Sequence, residues 1–371
     1  MNPNIEFTSD DLQLKFTMSN ANVSIANAIR RTMITDVPTV VIRTELYSNN
    51  QCNIEINTTR LHNEILSHRL SCIPIHIALE EAEQFVEDYI LEVDVKNDTE
   101  HTIYVTTEDF RIKSKSSGKY VTKEESKRIF PPHEKTHSYI DFVRLRPKLS
   151  DVIPGEHIKL TANFSISTAK ENSMFTVVSK CTYSNTIDMD KVEKKWAAKK
   201  KSLEASNMTA EEIEFHRKNF LILDAQREFV PNSFDFTVRS VGVYDNRWIM
   251  RQACKVILDR IDERVNQVNS GEMVIKISET TMDNSYDIIM ENEDYTIGKL
   301  LEYLLYEKYY THEKIMSFCG FKKLHPHDTS SMIRVAYTMP NSAGVDMVRD
   351  HLRAVAEDAK RIIQQIAGAF N

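Results

Sequence analysis

Ser24-Ile25-Ala26-Asn27-Ala28-Ile29-Arg30-Arg31-Thr32-Met33 decides the fold, because it recurs near the other end of the chain as Thr296-Ile297-Gly298-Lys299-Leu300-Leu301-Glu302-Tyr303-Leu304-Leu305. Both stretches read hydroxyl, isoleucine, small residue, polar residue, then aliphatics at helical spacing. At about 100° per residue, Ile25, Ile29 and Met33 form one stripe with Ala26 beside it, while Asn27, Arg30 and Arg31 point elsewhere. In the later stretch Ile297, Leu300, Leu301, Leu304 and Leu305 share a stripe, and Lys299, Glu302 and Tyr303 face outward. Each stripe is worth on the order of 6–12 kcal/mol of burial before entropy, at ~1.5–3 per aliphatic side chain, as an upper bound. Two such elements predict a chain that folds back on itself as a pseudo-dimer. The plainer alternative is that each stripe covers only its own sheet.

The surroundings of the two stretches follow one plan. Residues 5–17 alternate as a strand or hairpin, and Ser19 to Asn22 supply helix-start chemistry. Pro38 stops the helix at about Thr35, and the β-branched run Pro38 to Tyr47 predicts a strand. A second helix is expected from about Thr59 to Ser71, ending before Pro74. Strands are expected at 91–95, 101–106 and, with intervening turns, 139–187. Residues 113–137 read as an exposed loop, and 189–220 as charged and helix-prone until Pro231 breaks the run. Phe234 to Val238 alternates cleanly, and 246–268 forms a long amphipathic helix. Strands at 273–277, 286–290 and 331–337 and a closing helix at 343–369 then repeat the opening order. The expected organisation is α+β: a first module at 1–84 and 226–270, a β-rich insertion at 85–225, and a second module at 271–371.

Composition limits the function classes. The chain has 371 residues, 41% hydrophobic, 27% charged, with a net charge of -7. A mildly acidic chain is a poor free-standing nucleic-acid binder, although a local basic patch remains open. The five cysteines, Cys52, Cys72, Cys181, Cys254 and Cys319, are scattered and lack C-x-x-C, as expected of reduced thiols in an intracellular compartment. The start Met1-Asn2-Pro3-Asn4-Ile5-Glu6 has no basic, apolar leader character, and no apolar run approaches a bilayer span. With only 8 glycines there is no G-x-G-x-x-G and no P-loop to cradle a phosphate.

Competing chemistries are weak. His62 and His68 lie about 240° apart around a helix, so with Glu64 they do not form a zinc face. His325, His327, Asp328 and Cys319 lack a convincing metal geometry, and a packed turn is the simpler account. The lysines Lys194, Lys195, Lys199, Lys200 and Lys201 could touch phosphate, but interleaved Glu193 and Glu204 favour a solvated helix face. Asp94, Asp141 and Asp151 form no spaced motif that would hold catalytic Mg²⁺. No metal and no cofactor are expected.

Asn20 to Met33, followed by Asp36-Val37-Pro38-Thr39, resembles the signature helix of RNA polymerase alpha-type subunits. Asn57-Thr58-Thr59 and Asn63-Glu64-Ile65-Leu66-Ser67-His68-Arg69-Leu70-Ser71-Cys72-Ile73-Pro74-Ile75 resemble the second signature, D-E-x-x-x-H-R-L-G-x-I-P, with Asn63 for the usual Asp and Ser71 for the usual Gly. This part is similar to the third-largest eukaryotic and archaeal D-type subunits. Glu291-Asn292-Glu293-Asp294-Tyr295-Thr296-Ile297-Gly298-Lys299-Leu300-Leu301 resembles E-x-E-D-H-T-L-G-N-L-L of the small, archaeal L-type partner. Tyr295 stands for the usual His and Lys299 for the usual Asn. Phe318-Cys319-Gly320-Phe321-Lys322-Lys323-Leu324-His325-Pro326 resembles its F-A-G-Y-x-x-x-H-P segment. The resemblance implies a single-chain fusion of two normally separate partners, as in polymerases of large cytoplasmic DNA viruses.

The resemblance also implies a role. Alpha-type dimers carry no catalytic residues and form the platform for the second-largest and largest subunits. Arg30, Arg31, His68 and Arg69 would face the second-largest subunit. Ile25, Ile29, Met33, Ile297, Leu300, Leu301, Leu304 and Leu305 would form the intrachain dimer contact. A small zinc-ribbon-type subunit is a further expected partner, with DNA met only through the assembled complex and no membrane involved. The chain itself lacks the cysteines that bind metal in many relatives. Host cytoplasm and virion are the implied places if it is viral, nucleus or cytoplasm otherwise. The alternative is a stand-alone interaction or nucleic-acid-binding protein reusing the fold.

Overall fold

The computed structural model describes residues 2–45, 47–150, 152–338 and 344–371. The chain is α+β, with antiparallel sheets and helices. It divides into two compact units. One comprises Met1–Met33, Lys180–Arg239 and Asn246–Asn371; the other comprises Ile34–Ser179 and Ser240–Asp245. This division falls at 33/34 and 179/180, since the strands Thr39–Val41 and Cys52–Asn57 pair within the second unit.

The first unit holds two four-stranded sheets. One runs Asn4–Asp10, Leu14–Ser19, Phe229–Ser240, Val178–Ile187 in spatial order. Alternation creates it: buried Leu14, Phe16 and Met18 sit opposite buried Val238, Phe236 and Phe234. Phe16 and Phe236 stack at 4.9 Å, and Phe370 packs edge-on to Phe16 at 5.0 Å. The other sheet runs Ile275–Ile277, Ser285–Glu291, Ser330–Tyr337, Met316–Lys322. The C-terminal helix, Val345–Gly368, packs along the long helix Asn246–Ser270 and against the helix Tyr295–Leu305. Lys360 bridges to Asp262 at 2.5 Å and Arg353 donates to Asn269 at 2.8 Å along this contact.

The two repeated helices start by the same device. Asn22 Oδ1 accepts from the Ser24 amide at 2.8 Å, opening Val23–Thr35. Asp294 Oδ1 accepts from the Thr296 amide at 2.8 Å, opening Tyr295–Leu305. In each, a short side chain two residues before the hydroxyl satisfies an amide that the first turn leaves unpaired.

The second unit is built on a four-stranded sheet, Cys52–Asn57, His157–Asn163, Tyr89–Lys96, Arg111–Ser114. Leu91, Val93, Ile158, Leu160, Phe110 and Phe142 are among its core residues. Ile103–Thr106 pairs with Asp141–Leu145, and Thr39–Val41 with Ser165–Ser167. The turn at Pro154-Gly155 requires glycine, since a Cβ there would lie 1.7 Å from the Asn97 carbonyl oxygen.

Several expected elements change. The strand expected from Pro38 to Tyr47 is only Thr39–Val41, because its partner offers three residues; Leu46 lies outside the described residues. The second helix begins at Asn63, because Asn57 captures the Thr59 amide and hydroxyl and the Leu61 carbonyl and holds that stretch as a turn. The expected loop at 113–137 contains a helix, Lys123–Ile129, started by a reciprocal Thr122–Glu125 cap. Pro231 does not end an element but lies inside the strand Phe229–Ser240, whose pairing with Leu14–Ser19 begins at Ser233. The charged stretch forms two helices, Met189–Ala205 and Ala210–Ile222. Met316–Lys322 forms a further strand, paired with Ser330–Tyr337. The closing helix is Val345–Gly368; Ala343, at the start of its expected range, lies outside the described residues, as does Asp151.

Candidate functional site

The candidate site lies in the first unit, where the Val23–Thr35 helix meets the acidic stretch Glu291 to Asp294. Ile25, Ile29, Met33, Ile297, Leu300, Leu301, Leu304 and Leu305 are all buried. On the first helix Ala28 and Thr32 are buried as well, so the covered face is wider than the aliphatic stripe. Asn27, Arg30 and Arg31 are half-buried.

The two arginines do different things. Arg30 donates to Asn27 Oδ1 from Nη2 at 3.0 Å and Nε at 3.2 Å. Arg31 reaches the second repeat: its Nη2 meets Asp294 Oδ2 at 2.9 Å and its Nε donates to Thr296 Oγ1 at 2.9 Å. A third of the Arg31 side chain stays exposed. Arg31 therefore has an intrachain role that helical periodicity could not reveal.

Asp294 is the hub. It caps its helix, pairs with Arg31, and lies 3.9 Å from Arg260. Beside it, Glu293 is buried, with 1% of its side chain exposed; it pairs closely with Arg260 Nη2 and lies 3.4 Å from Arg264 Nε. Arg264 also donates to the Glu291 carbonyl at 3.2 Å. Arg260 and Arg264 were not singled out in the sequence. Their signal was a four-residue spacing, which puts both on one face of the Asn246–Ser270 helix.

Burial pushes the Asp294 carboxyl up, but the Thr296 hydroxyl and amide, Arg31 and Arg260 outweigh it and bring its pKa down to about 2. A carboxyl lowered on folding stabilises the native state fully above its ordinary pKa of 3.8 and loses that contribution as pH falls through about 2. Asp294→Asn keeps a capping oxygen but no charge. The variant is expected to be less stable than the wild type at neutral pH, with the gap closing toward pH 2; denaturant titrations across pH measure it. A pH-independent gap would show that the carboxylate charge contributes nothing.

In the second unit, Arg69 donates to the Phe142 carbonyl at 2.8 Å and the Asp141 carbonyl at 2.7 Å, capping one edge of the strand Asp141–Leu145. His68 is exposed, with Nε2 3.9 Å from Cys72 Sγ. Cys72 is exposed and the other four cysteines are buried; all five are free. Among the described residues no group of three or more His, Cys, Asp or Glu could hold a metal ion. No described helix is long and apolar enough to cross a membrane.

In the lysine cluster Lys195 pairs with Glu228, Lys199 with Asp224 at 3.0 Å and Lys200 with Glu204 at 3.6 Å. Three of the five lysines thus have acidic partners, which weakens a phosphate-binding reading.

Oppositely charged side chains thus join the Val23–Thr35 helix, the start of the Tyr295–Leu305 helix and the Asn246–Ser270 helix, and comparison with known proteins supplies the family. The model of the RNA polymerase Rpb3/Rpb11 dimerisation domain matches residues 15–261, so the chain belongs to that family. The motifs at 291–326 lie beyond that span. The chain is 25% identical over 304 residues to "DNA-directed RNA polymerases I and III subunit rpac1" of Dictyostelium discoideum, covering 69% of this chain and 79% of that protein. It is 22% identical over 294 residues to "DNA-directed RNA polymerase subunit Rpo3" of Methanosphaera stadtmanae, covering 72% and 100%. Identity reaches 43% over 61 residues with "DNA-directed RNA polymerases II, IV and V subunit 3" of Arabidopsis thaliana, where the match spans 16% of this chain and 17% of that one. The chain is thus homologous to alpha-like RNA polymerase subunits.

Proposed function

We propose that this protein is a non-catalytic subunit of a multisubunit DNA-directed RNA polymerase, built as a single-chain pseudo-heterodimer. Its D-type half would be residues 1–84 and 226–270, its L-type half 271–371, and its insertion 85–225. It would serve as the platform on which the second-largest and largest subunits assemble, with a small zinc-ribbon-type subunit alongside. The observation that carries the reading is the bridge from Arg31 to Asp294 and Thr296, which ties the two repeated helices together. The packing of Val345–Gly368 along Asn246–Ser270 supports it. Covalent linkage would hold the halves at an effective concentration around millimolar. A fused subunit of this kind also fits a cytoplasmic DNA virus and its virion.

Arg30, with the exposed part of Arg31, is the proposed contact to the second-largest subunit; His68 and Arg69 extend the proposal to the second unit. Arg30 is the cleaner probe, because its guanidinium hydrogen-bonds to Asn27 on its own helix. Tagged chain purified from its native source is expected to bring down polymerase subunits. Arg30→Glu should cut recovery of the second-largest subunit by at least about tenfold without changing the unfolding midpoint. Normal recovery by a folded variant would remove Arg30 from the interface. Absence of any polymerase subunit from the wild-type sample would overturn the function.

A further inference from the structure

The second unit carries a basic groove of about 570 Å³ whose lining includes Arg60, Arg69, Arg144 and Arg146, against the acidic residues Asp141 and Glu156. The four guanidiniums are not equivalent. Arg69 is committed to the strand carbonyls, and Arg146 pairs with Glu156 at 2.6 Å. Arg60 and Arg144 are exposed and make no ion pair among the described residues. We infer that this groove docks an extended acidic segment of a partner polypeptide, with Arg60 and Arg144 holding its carboxylates. The inference deepens the polymerase-subunit reading by extending the surface proposed at Arg69 to Arg60 and Arg144, and it rests on that reading for the partner's identity.

Geometry and charge select the occupant. Guanidinium forks suit carboxylates through paired N–H donors. A nucleic-acid strand fits less well. Arg144 lies over the Tyr104 ring at 4.9 Å, so that ring offers one face fewer for base stacking. The chain's net charge of -7 also opposes a long polyanion more than a short acidic segment.

The test uses the full chain and a fluorescent peptide of about ten residues with glutamate at alternate positions, read by anisotropy. Binding is expected to weaken steeply from about 50 to about 500 mM salt. Arg60→Glu with Arg144→Glu should lower affinity by on the order of tenfold or more at an unchanged unfolding midpoint. Arg60→Gln with Arg144→Gln, which adds no repulsion, gives the same direction should the reversal impair folding. Equal binding by a folded variant overturns the inference. So does preference for an oligothymidylate of matched charge, or no salt-dependent binding at about millimolar peptide. Peptide binding without polymerase subunits in the native purification would keep the groove and reject the polymerase reading. The converse result would reject the groove alone.

Discussion

Glu293→Ala is expected to destabilise the first unit by about 3–5 kcal/mol, because it removes one side of a buried ion network and leaves the other side charged. Glu293 exposes 1% of its side chain and Arg264 exposes 7%. Without the carboxylate, Arg260 loses its closest acidic partner and Arg264 loses the contact at its Nε. Removing a buried carboxylate from between two desolvated guanidiniums costs far more than any surface pair would return. Denaturant unfolding should show a lower midpoint at unchanged slope. Glu263→Ala is the control, since that side chain is 55% exposed and its pair with Arg264 is solvated; its effect should stay within about 1 kcal/mol. Adding Arg260→Ala to Glu293→Ala should recover part of the loss, the signature of direct coupling. A Glu293→Ala loss no larger than the control's would mean that the network does not hold the start of the second repeat to the Asn246–Ser270 helix.

Gly298→Val is expected to cost about 2–3 kcal/mol through overpacking, although glycine-to-alanine changes inside a helix ordinarily gain about 1 kcal/mol. A Cβ at Gly298 would fall 2.0 Å from Phe321 Cε2, with two more ring atoms within 2.6 Å. The Phe321 ring also packs edge-on to Tyr295 at 5.0 Å, so it is held from two sides of the helix start. The ring lies on the strand Met316–Lys322, which explains physically why the G-containing helix and the F-C-G-F segment occur together. Phe321→Ala should rescue Gly298→Val while costing stability on its own. A Gly298→Val chain as stable as the wild type would show that the ring swings aside freely, and that the glycine is not required for this contact.

The helices were legible because their causes are local. Hydrophobic spacing located Val23–Thr35 and Tyr295–Leu305, and the short polar residues Ser19 to Asn22 marked the start of the first. Alternation located Leu14–Ser19 and Ser330–Tyr337. What escaped was also local in part: the Thr122–Glu125 pair is a readable helix start inside a polar stretch, and charge density masked it. Pro231 escaped because a proline reads as a breaker, whereas the strand Phe229–Ser240 holds it before the pairing with Leu14–Ser19 begins at Ser233. The lengths of Thr39–Val41 and of the second helix depended on partners elsewhere, a pairing strand and the Asn57 side chain, and no local pattern contains them.

Sequence alone determined the α+β character, the two repeated helices with their buried faces, and the alpha-like polymerase resemblance, since periodicity and capping act within a few residues. Only the tertiary structure decided which charges meet. Arg31 and Asp294 are 263 positions apart, and Arg260 and Glu293 are 33 apart. An arginine on a helix face reads as solvated until folding brings a carboxylate within about 3 Å, because Coulomb attraction depends on distance and burial, and neither is written in the order of residues.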